Sequence, residues 1–157
     1  MQKLDSYDNN LVKGYLTIRT YRDGELVRQS ARLPNKVVAG AGGYGRNLLA
    51  RALAGDNTYS LEIDSAALGS NSTAPADSDT GLNTAVVSSI PITDITVLNN
   101  VVSIDVFVAD GNLTNGTYRE FGLFCNGRLF ARIIISPDYT KVSGEDSLFT
   151  YELTLAG

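Results

Sequence analysis

Apolar and polar residues alternate two by two along most of this chain. In "GYLTIRTY", residues 14–21, Leu16 and Ile18 share one side with Thr20, while Tyr15, Thr17, Arg19 and Tyr21 share the other. That is the spacing of a half-buried strand. Asp23-Gly24 follows, a dipeptide suited to a tight hairpin turn, and predicts "ELVRQSARL" (25–33) as the returning strand. Pro34 is expected to end that region, because a central strand needs the amide that proline lacks. "YSLEIDSAAL" (59–68) sets Leu61 and Ile63 against Glu62 and Asp64. "LNTAVVSSIPITDITVL" (82–98) predicts a strand broken or kinked near Pro91, and "NVVSIDVFVAD" (100–110) one with Ile104, Val106 and Val108 on a single face. In "YREFGLFCNGRLFARIII" (118–135) two apolar strands flank Asn126-Gly127, the dipeptide that type I′ turns favour. "SPDYTKVSGED" (136–146) reads as a loop. "SLFTYELTLAG" (147–157) closes the chain with Phe149, Tyr151, Leu153 and Leu155 opposed to Thr150, Glu152 and Thr154.

The period changes once. Around residues 44–54, Leu48, Leu49, Ala52 and Leu53 fall on one helical face, Arg46 and Arg51 lie away from it, and Gly55 stands where a helix C-cap belongs. The pattern therefore predicts a mostly β protein: an antiparallel two-layer β-sandwich of about seven or eight strands with one helix. Residues 1–12 are expected to be an N-terminal arm or edge segment, and residues 13–157 a single domain.

Composition narrows the function classes. Fifteen glycines suit a turn-rich β fold, and eight tyrosines and five phenylalanines supply the aromatic bulk in the absence of tryptophan. The net charge of -4 argues against a nucleic-acid partner, which wants a basic face. No apolar run is long enough for a membrane span, and "MQKLDSYDNNL" lacks the apolar core of a secretory signal. The one cysteine, Cys125, excludes an intrachain disulfide, and the absence of histidine removes the commonest general base and metal ligand.

Several stretches invite chemistry. "GAGGYG" (40–45) lacks both the GxGxxG spacing and the Lys-Ser/Thr of a phosphate loop, so close backbone packing is the expected role. "GSNSTAPADSDTGL" (69–82) is read as a structural corner: Pro75 stiffens the approach, Asp77 caps a short helical turn with Asp79 near its positive end, and Leu82 anchors the far side. Calcium held by Asp77 and Asp79 is the sharper alternative, although the oxygen spacing of an EF-hand is missing. Glu120 is expected to form a cross-strand ion pair with Arg119 or Arg132. Asp105, Glu120 and Glu152 are the strand carboxylates that a paired-acid hydrolase would need to face one another. Cys125 is expected as a small buried apolar residue. Tyr15, Tyr21, Tyr118 and Tyr151 suit strand faces, subunit contacts or sugar stacking. No catalytic, cofactor or metal residues are expected.

Four stretches resemble small structural proteins of tailed bacteriophages, found around tails, fibres and baseplates. "NKVVAGAGGYGRNLLARALAG" (35–55) is similar to their Asn followed by a helix ending in Leu-Ala-Gly. "IDSAALGSNSTAPADSDTGLNTAV" (63–86) is similar to a recurring Gly-x-Gly-x-Thr-x-x-Pro-x-x-x-Asp-Thr-x-Leu segment, with Ser70 and Asn71 where another glycine often stands. "YREFGLFCNGRLFARIII" resembles the Glu-x-Gly-Leu-Phe strand and its hairpin, and "SLFTYELTL" the closing strand. The resemblance covers the chain from about residue 35 onward. It implies a non-enzymatic virion component of the tail or fibre-attachment region, assembled in the host cytoplasm. Such a protein acts as a homo-oligomer, its arm contributing, and through contacts with other virion proteins. The alternatives are a capsid decoration protein, or a fibre module whose partner is a carbohydrate receptor.

Overall fold

The computed structural model describes residues 12–155. The expected arm lies outside them apart from Val12, which is the first residue of β1. The elements are β1 (Val12–Arg22), β2 (Glu25–Gln29), β3 (Leu33–Val37), α1 (Arg46–Leu53), β4 (Ser65–Gly69), β5 (Ala85–Pro91), β6 (Asp94–Leu98), β7 (Val101–Val108), β8 (Gly116–Cys125), β9 (Arg128–Lys141) and β10 (Asp146–Leu155), with a single 3-10 turn at Asp110–Asn112. Every pairing is antiparallel. The fold is thus mostly β with one α-helix, as the alternation predicts.

The sheet differs from the expectation. All ten strands belong to one sheet, in the order β5-β4-β8-β9-β3-β1-β10-β7-β6 with β2 also on β1, curled as a half-barrel rather than split into two layers of seven or eight strands. The join is β3. Its Leu33 and Pro34 pair with Leu16 and Tyr15 of β1, and its Asn35, Lys36 and Val37 pair with Ile133, Arg132 and Ala131 of β9. Pro34 therefore sits within a strand rather than ending one. It falls near the changeover between neighbours, where its missing amide costs the ladder least. The strand expected over 25–33 ends at Gln29 as β2, with a separate β3 starting at Leu33, and the stretch 82–98, expected to be broken or kinked near Pro91, breaks at Ile92-Thr93 into β5 and β6.

The core fills the inside of the curl. Leu16, Ile18, Ile104, Val106, Leu123 and Ile133 are buried there, Leu16, Ile18, Ile104 and Val106 on the faces that alternation assigned to them. Phe121 of β8 stacks on Phe149 of β10 with ring centroids 5.3 Å apart, and Tyr139 of β9 meets Phe149 edge-on at 5.8 Å. Offset and edge-to-face pairs of this kind add to the area they bury. They hold the two arms of the curled sheet against each other.

Three local expectations are corrected. Most of the stretch read as a loop, 136–146, is the second half of β9. A cis Ser136-Pro137 bond is accommodated, and Tyr139 and Lys141 return to buried positions opposite Tyr118 and Gly116. The strand expected over 59–68 is confined to Ser65–Gly69, because Tyr59 leaves the ladder and lies beneath the guanidinium groups of Arg51 and Arg128. The helix is shorter than 44–54, with Leu48 buried but Leu53 92% exposed. Gly55 does supply the expected left-handed stop, its amide donating to the Ala52 carbonyl.

Asn126 and Gly127 take φ of 48° and 79° between β8 and β9, the signs a type I′ turn requires. No atom lies within contact distance of a Cβ placed on Gly127, so the constraint is backbone conformation alone. Gly127→Val should lower stability by about 1–3 kcal/mol, read as a drop in urea midpoint. An unchanged midpoint would reject the turn.

Candidate functional site

The largest concentration of buried charge lies on the outer face of β8 and β9, opposite the face that carries Phe121 and Ile133. Glu120 and Arg132 are both 0% exposed. Arg132 Nε donates to Glu120 Oε2 at 2.8 Å, and Nη2 lies at the same distance from that oxygen but out of line for a hydrogen bond. The expected ion pair thus involves Arg132, whereas Arg119 pairs with Asp138 at 3.0 Å. Residues 70–84 cross directly over the pair. The amides of Thr84 and Asn83 donate to Glu120 Oε1 and Oε2 at 2.9 and 3.2 Å. Arg132 Nη1 donates to the Thr73 carbonyl at 2.8 Å and to Asp79 Oδ2 at 3.4 Å. Leu82 fits over Gly122, where a Cβ would come within 2.8 Å of its methyl carbon. A carboxylate and a guanidinium removed from water are tolerable only when paired and otherwise hydrogen-bonded, and the corner supplies those further bonds.

The corner is tied to the sheet, but its joinery differs from the expectation. No helical turn follows Asp77. Residues 76–79 form a turn in which the Asp79 amide donates to the Ala76 carbonyl at 3.1 Å and the Ala76 amide donates to Asp79 Oδ2 at 2.9 Å. Asp79 therefore does the work assigned to Asp77. Asp77 instead reaches outward to Arg46 at 2.6 Å and Lys36 at 3.2 Å, and hydrogen bonding from Lys36 and Arg46 holds its carboxyl below the ordinary range. Leu82 is half-buried rather than a core anchor. For calcium, both acids already face cationic side chains, so the charge a divalent ion would need is balanced from within the chain. Among the described residues no three Asp, Glu or Cys side chains gather as a metal cluster.

The other stretches singled out in the sequence also resolve into packing. "GAGGYG" is closed over by Arg128, which lies on the rings of Tyr59 and Tyr44 and donates to the Gly42 carbonyl. Gly45 has φ of 52° and abuts the Val38 carbonyl too closely to admit a side chain. Asp105 and Glu152 project from the outer faces of β7 and β10, while Glu120 lies on the other arm of the sheet, so the three carboxylates do not face one another. Cys125 is buried, and desolvation pushes its thiol up to about 12, which leaves no thiolate for nucleophilic chemistry. Tyr118 and Tyr151 are buried, Tyr151 holding Asn35 across the join, and the ring of Tyr15 is covered by Arg32 at 4.2 Å. These rings do not form an open stacking platform.

Two further clusters escaped sequence reading because they sit in or beside the stretch taken for a loop. The Lys141 ammonium is buried and donates to the Asp110 carboxylate and, at 2.9 Å each, to the Asp110 carbonyl and Asn115 Oδ1. Glu145 is buried beneath Arg28, which contacts its two oxygens at 2.6 and 2.9 Å, while the Val142 amide donates to it at 3.0 Å. The alternation of Tyr139 and Lys141 was the available signal. Beside Arg28 lies a cleft of about 270 Å³ floored by Ile18, Leu33 and Ile135. Its polar groups are mutually engaged: Ser30 Oγ accepts from the Ile18 amide and donates to the Ala31 carbonyl, and Thr20, Tyr139 and Ser147 share a string of hydroxyl contacts. This arrangement fixes loops to the sheet.

No family model, curated protein or solved structure matches the chain.

Two predictions follow from the buried charges. Arg132→Met leaves Glu120 buried without its counter-ion and should cost about 3–5 kcal/mol. The double variant Glu120→Gln/Arg132→Met should be more stable than Arg132→Met alone, measured by denaturant unfolding, and a double-variant loss equal to the sum of the singles would refute the coupling. Hydrogen bonding from Arg28 holds Glu145 below its ordinary value of 4.5. Its contribution is therefore present above that value and is lost as pH falls through the lowered native one. Glu145→Gln should lose less stability than wild type on acidification from about pH 5 to pH 3, and parallel stability curves would contradict this.

Proposed function

We propose that the chain is a non-enzymatic structural component of a bacteriophage virion, placed in the tail or fibre-attachment region and working by self-assembly and by contacts with other virion proteins. The observation that carries this reading is the mutual fit of the segments that bear the resemblance. Glu120 and Gly122, of the Glu-x-Gly-Leu-Phe strand, receive Asn83, Thr84 and Leu82 of the Gly/Thr/Pro/Asp-Thr-x-Leu segment. Asp79 of that segment meets Arg132 of the same hairpin. Phe121 of the strand stacks on Phe149 of the closing "SLFTYELTL". Three of the four stretches are thus one interlocked unit, which supports reading them as a shared building block rather than as separate coincidences.

The packing supports the same role. The arms β5-β4-β8-β9 and β1-β10-β7-β6 face one another across the Phe121–Phe149 stack as the layers of a sandwich would, with β3 as their hinge. Long connections are tied down by buried ion pairs, giving a rigid outline suited to repeated contacts. The burial of Tyr118 and Tyr151 weighs against the carbohydrate-receptor alternative.

The test is the composition and image of the particle. Purified virions of the phage encoding this chain should contain it in multiple copies, and a tagged copy should appear at the tail or fibre base in electron micrographs. Label on the capsid exterior would favour decoration. Virions that lack the chain yet assemble and infect normally would overturn the proposal.

A further inference from the structure

Among the described residues the sheet leaves three strand edges open, on β2, β5 and β6. An open edge offers unpaired amides and carbonyls, and soluble proteins guard such edges with charge, proline or bulges. β2 carries Glu25 and Arg28, and its pairing with β1 shifts register at Thr20/Tyr21. β5 has two register shifts against β4, a left-handed Ser89 with φ of 57°, and Pro91. β6 has neither proline nor bulge, and its one charge, Asp94, stands at its first position. Its residues, Asp94–Leu98, pair with β7 without a shift, and Ile95, Val97 and Leu98 are 46%, 70% and 74% exposed. Ile95 and Val97 lie opposite Ile104 and Val102, so the core face of the sheet runs out to this edge uncovered.

We infer that β6 pairs antiparallel with β6 of a second copy of this chain, about a two-fold axis at Thr96, joining two half-barrels into one continuous sheet. The inference rests on the self-assembly reading above and names its interface. The partner is a second β6 because β2 and β5 are too irregular or charged to continue a ladder, which leaves β6 as its own best complement. A two-fold contact of this kind uses the same patch on both copies. Side-chain direction limits the register to centres on a residue. Centred on Thr96, all five residues pair, Ile95 meets Val97 twice, and the two Asp94 carboxylates stand at opposite ends, about 13 Å apart. Centred on Ile95, those carboxylates close to about 7 Å, beside the Asp105 that already faces each of them. Centred on Val97, Ile95 meets Asn99, whose φ of 53° takes it out of the strand. Charge placement and burial therefore select the same register. The pairing covers Ile95 and Val97 on the core face and Leu98 on the other, the exposed apolar side chains of β6 itself.

The test uses the full 157-residue chain. Thr96→Cys places two thiols directly opposite each other, with Cα atoms about 5 Å apart, within disulfide reach. Mild oxidation should give a covalent dimer on a non-reducing gel. Leu98→Cys, whose copies stand about 13 Å apart, should not cross-link. Buried Cys125 does not compete. In sedimentation equilibrium the wild type should dimerise, and Val97→Lys should weaken the dimer at least tenfold with an unchanged melting temperature. An oligomer that persists in Val97→Lys, with no cross-link at residue 96, overturns this interface and leaves self-assembly standing through another surface. A wild type that stays monomeric throughout overturns the inference, while the virion reading is still decided by the composition of the particle.

Discussion

The Glu120–Arg132 pair is the constraint around which one half of the molecule is arranged. Two charges at the centre of β8 and β9 have no water, so every remaining donor and acceptor must be met by protein. The chain meets most of them by drawing residues 70–84 across the sheet, with amides to Glu120 and a carbonyl and a carboxylate to Arg132, while Arg132 Nη2 keeps only its ion-pair contact with Glu120. The same need explains why β8 carries glycine at position 122, beneath Leu82. A long polar connection becomes part of the solid body in this way. Its conformation is dictated by the sheet beneath it more than by its own turn residues.

The same device recurs at smaller scale. Lys141 gathers the turn around Asp110 and Asn115, and Glu145 gathers Arg28 and the amide of Val142. In each case one buried charge at the end of a strand fixes a connection that apolar packing leaves alone. Arginine and lysine suit this because several donors radiate from one group. Three such anchors on different connections tie the periphery to the sheet.

Much of this was legible in the sequence, and the failures share a cause. Period-two alternation placed the buried faces of β1, β7 and β10 correctly, and Asp23-Gly24 and Asn126-Gly127 marked real turns with both residues at positive φ. The stacking of Phe121 on Phe149 was not visible, because it depends on how the sheet curls. Pro34 was read as ending a strand, and Pro137 fell in the stretch read as a loop. Each instead lies in a strand, Pro34 beside a changeover of neighbours and Pro137 beside a register shift. Asp77 and Asp79 were both recognised as capping types, and only the position of Arg132 beneath decided which of them turns inward. Local rules assigned the local geometry, and the errors fall where a long-range partner decides.

The pairing of β1 with β10 carries a consequence for the order of events during synthesis. Val12 lies opposite Leu155 and Tyr21 opposite Asp146, so a strand near the start of the described chain takes its longest neighbour from the end. While the ribosome works, Leu16 and Ile18 emerge long before β10 and have beside them only the short β2 and β3, the latter pairing Leu33 with Leu16. β7 and β6 likewise wait for β10 before they can join the rest. Closure of the sheet is a late, non-local step with a high contact order, which favours slow folding in the range of other β-rich domains. Until the final strand leaves the exit tunnel, the nascent chain carries an unfinished apolar face, and its solubility in that interval depends on the polar connections already made.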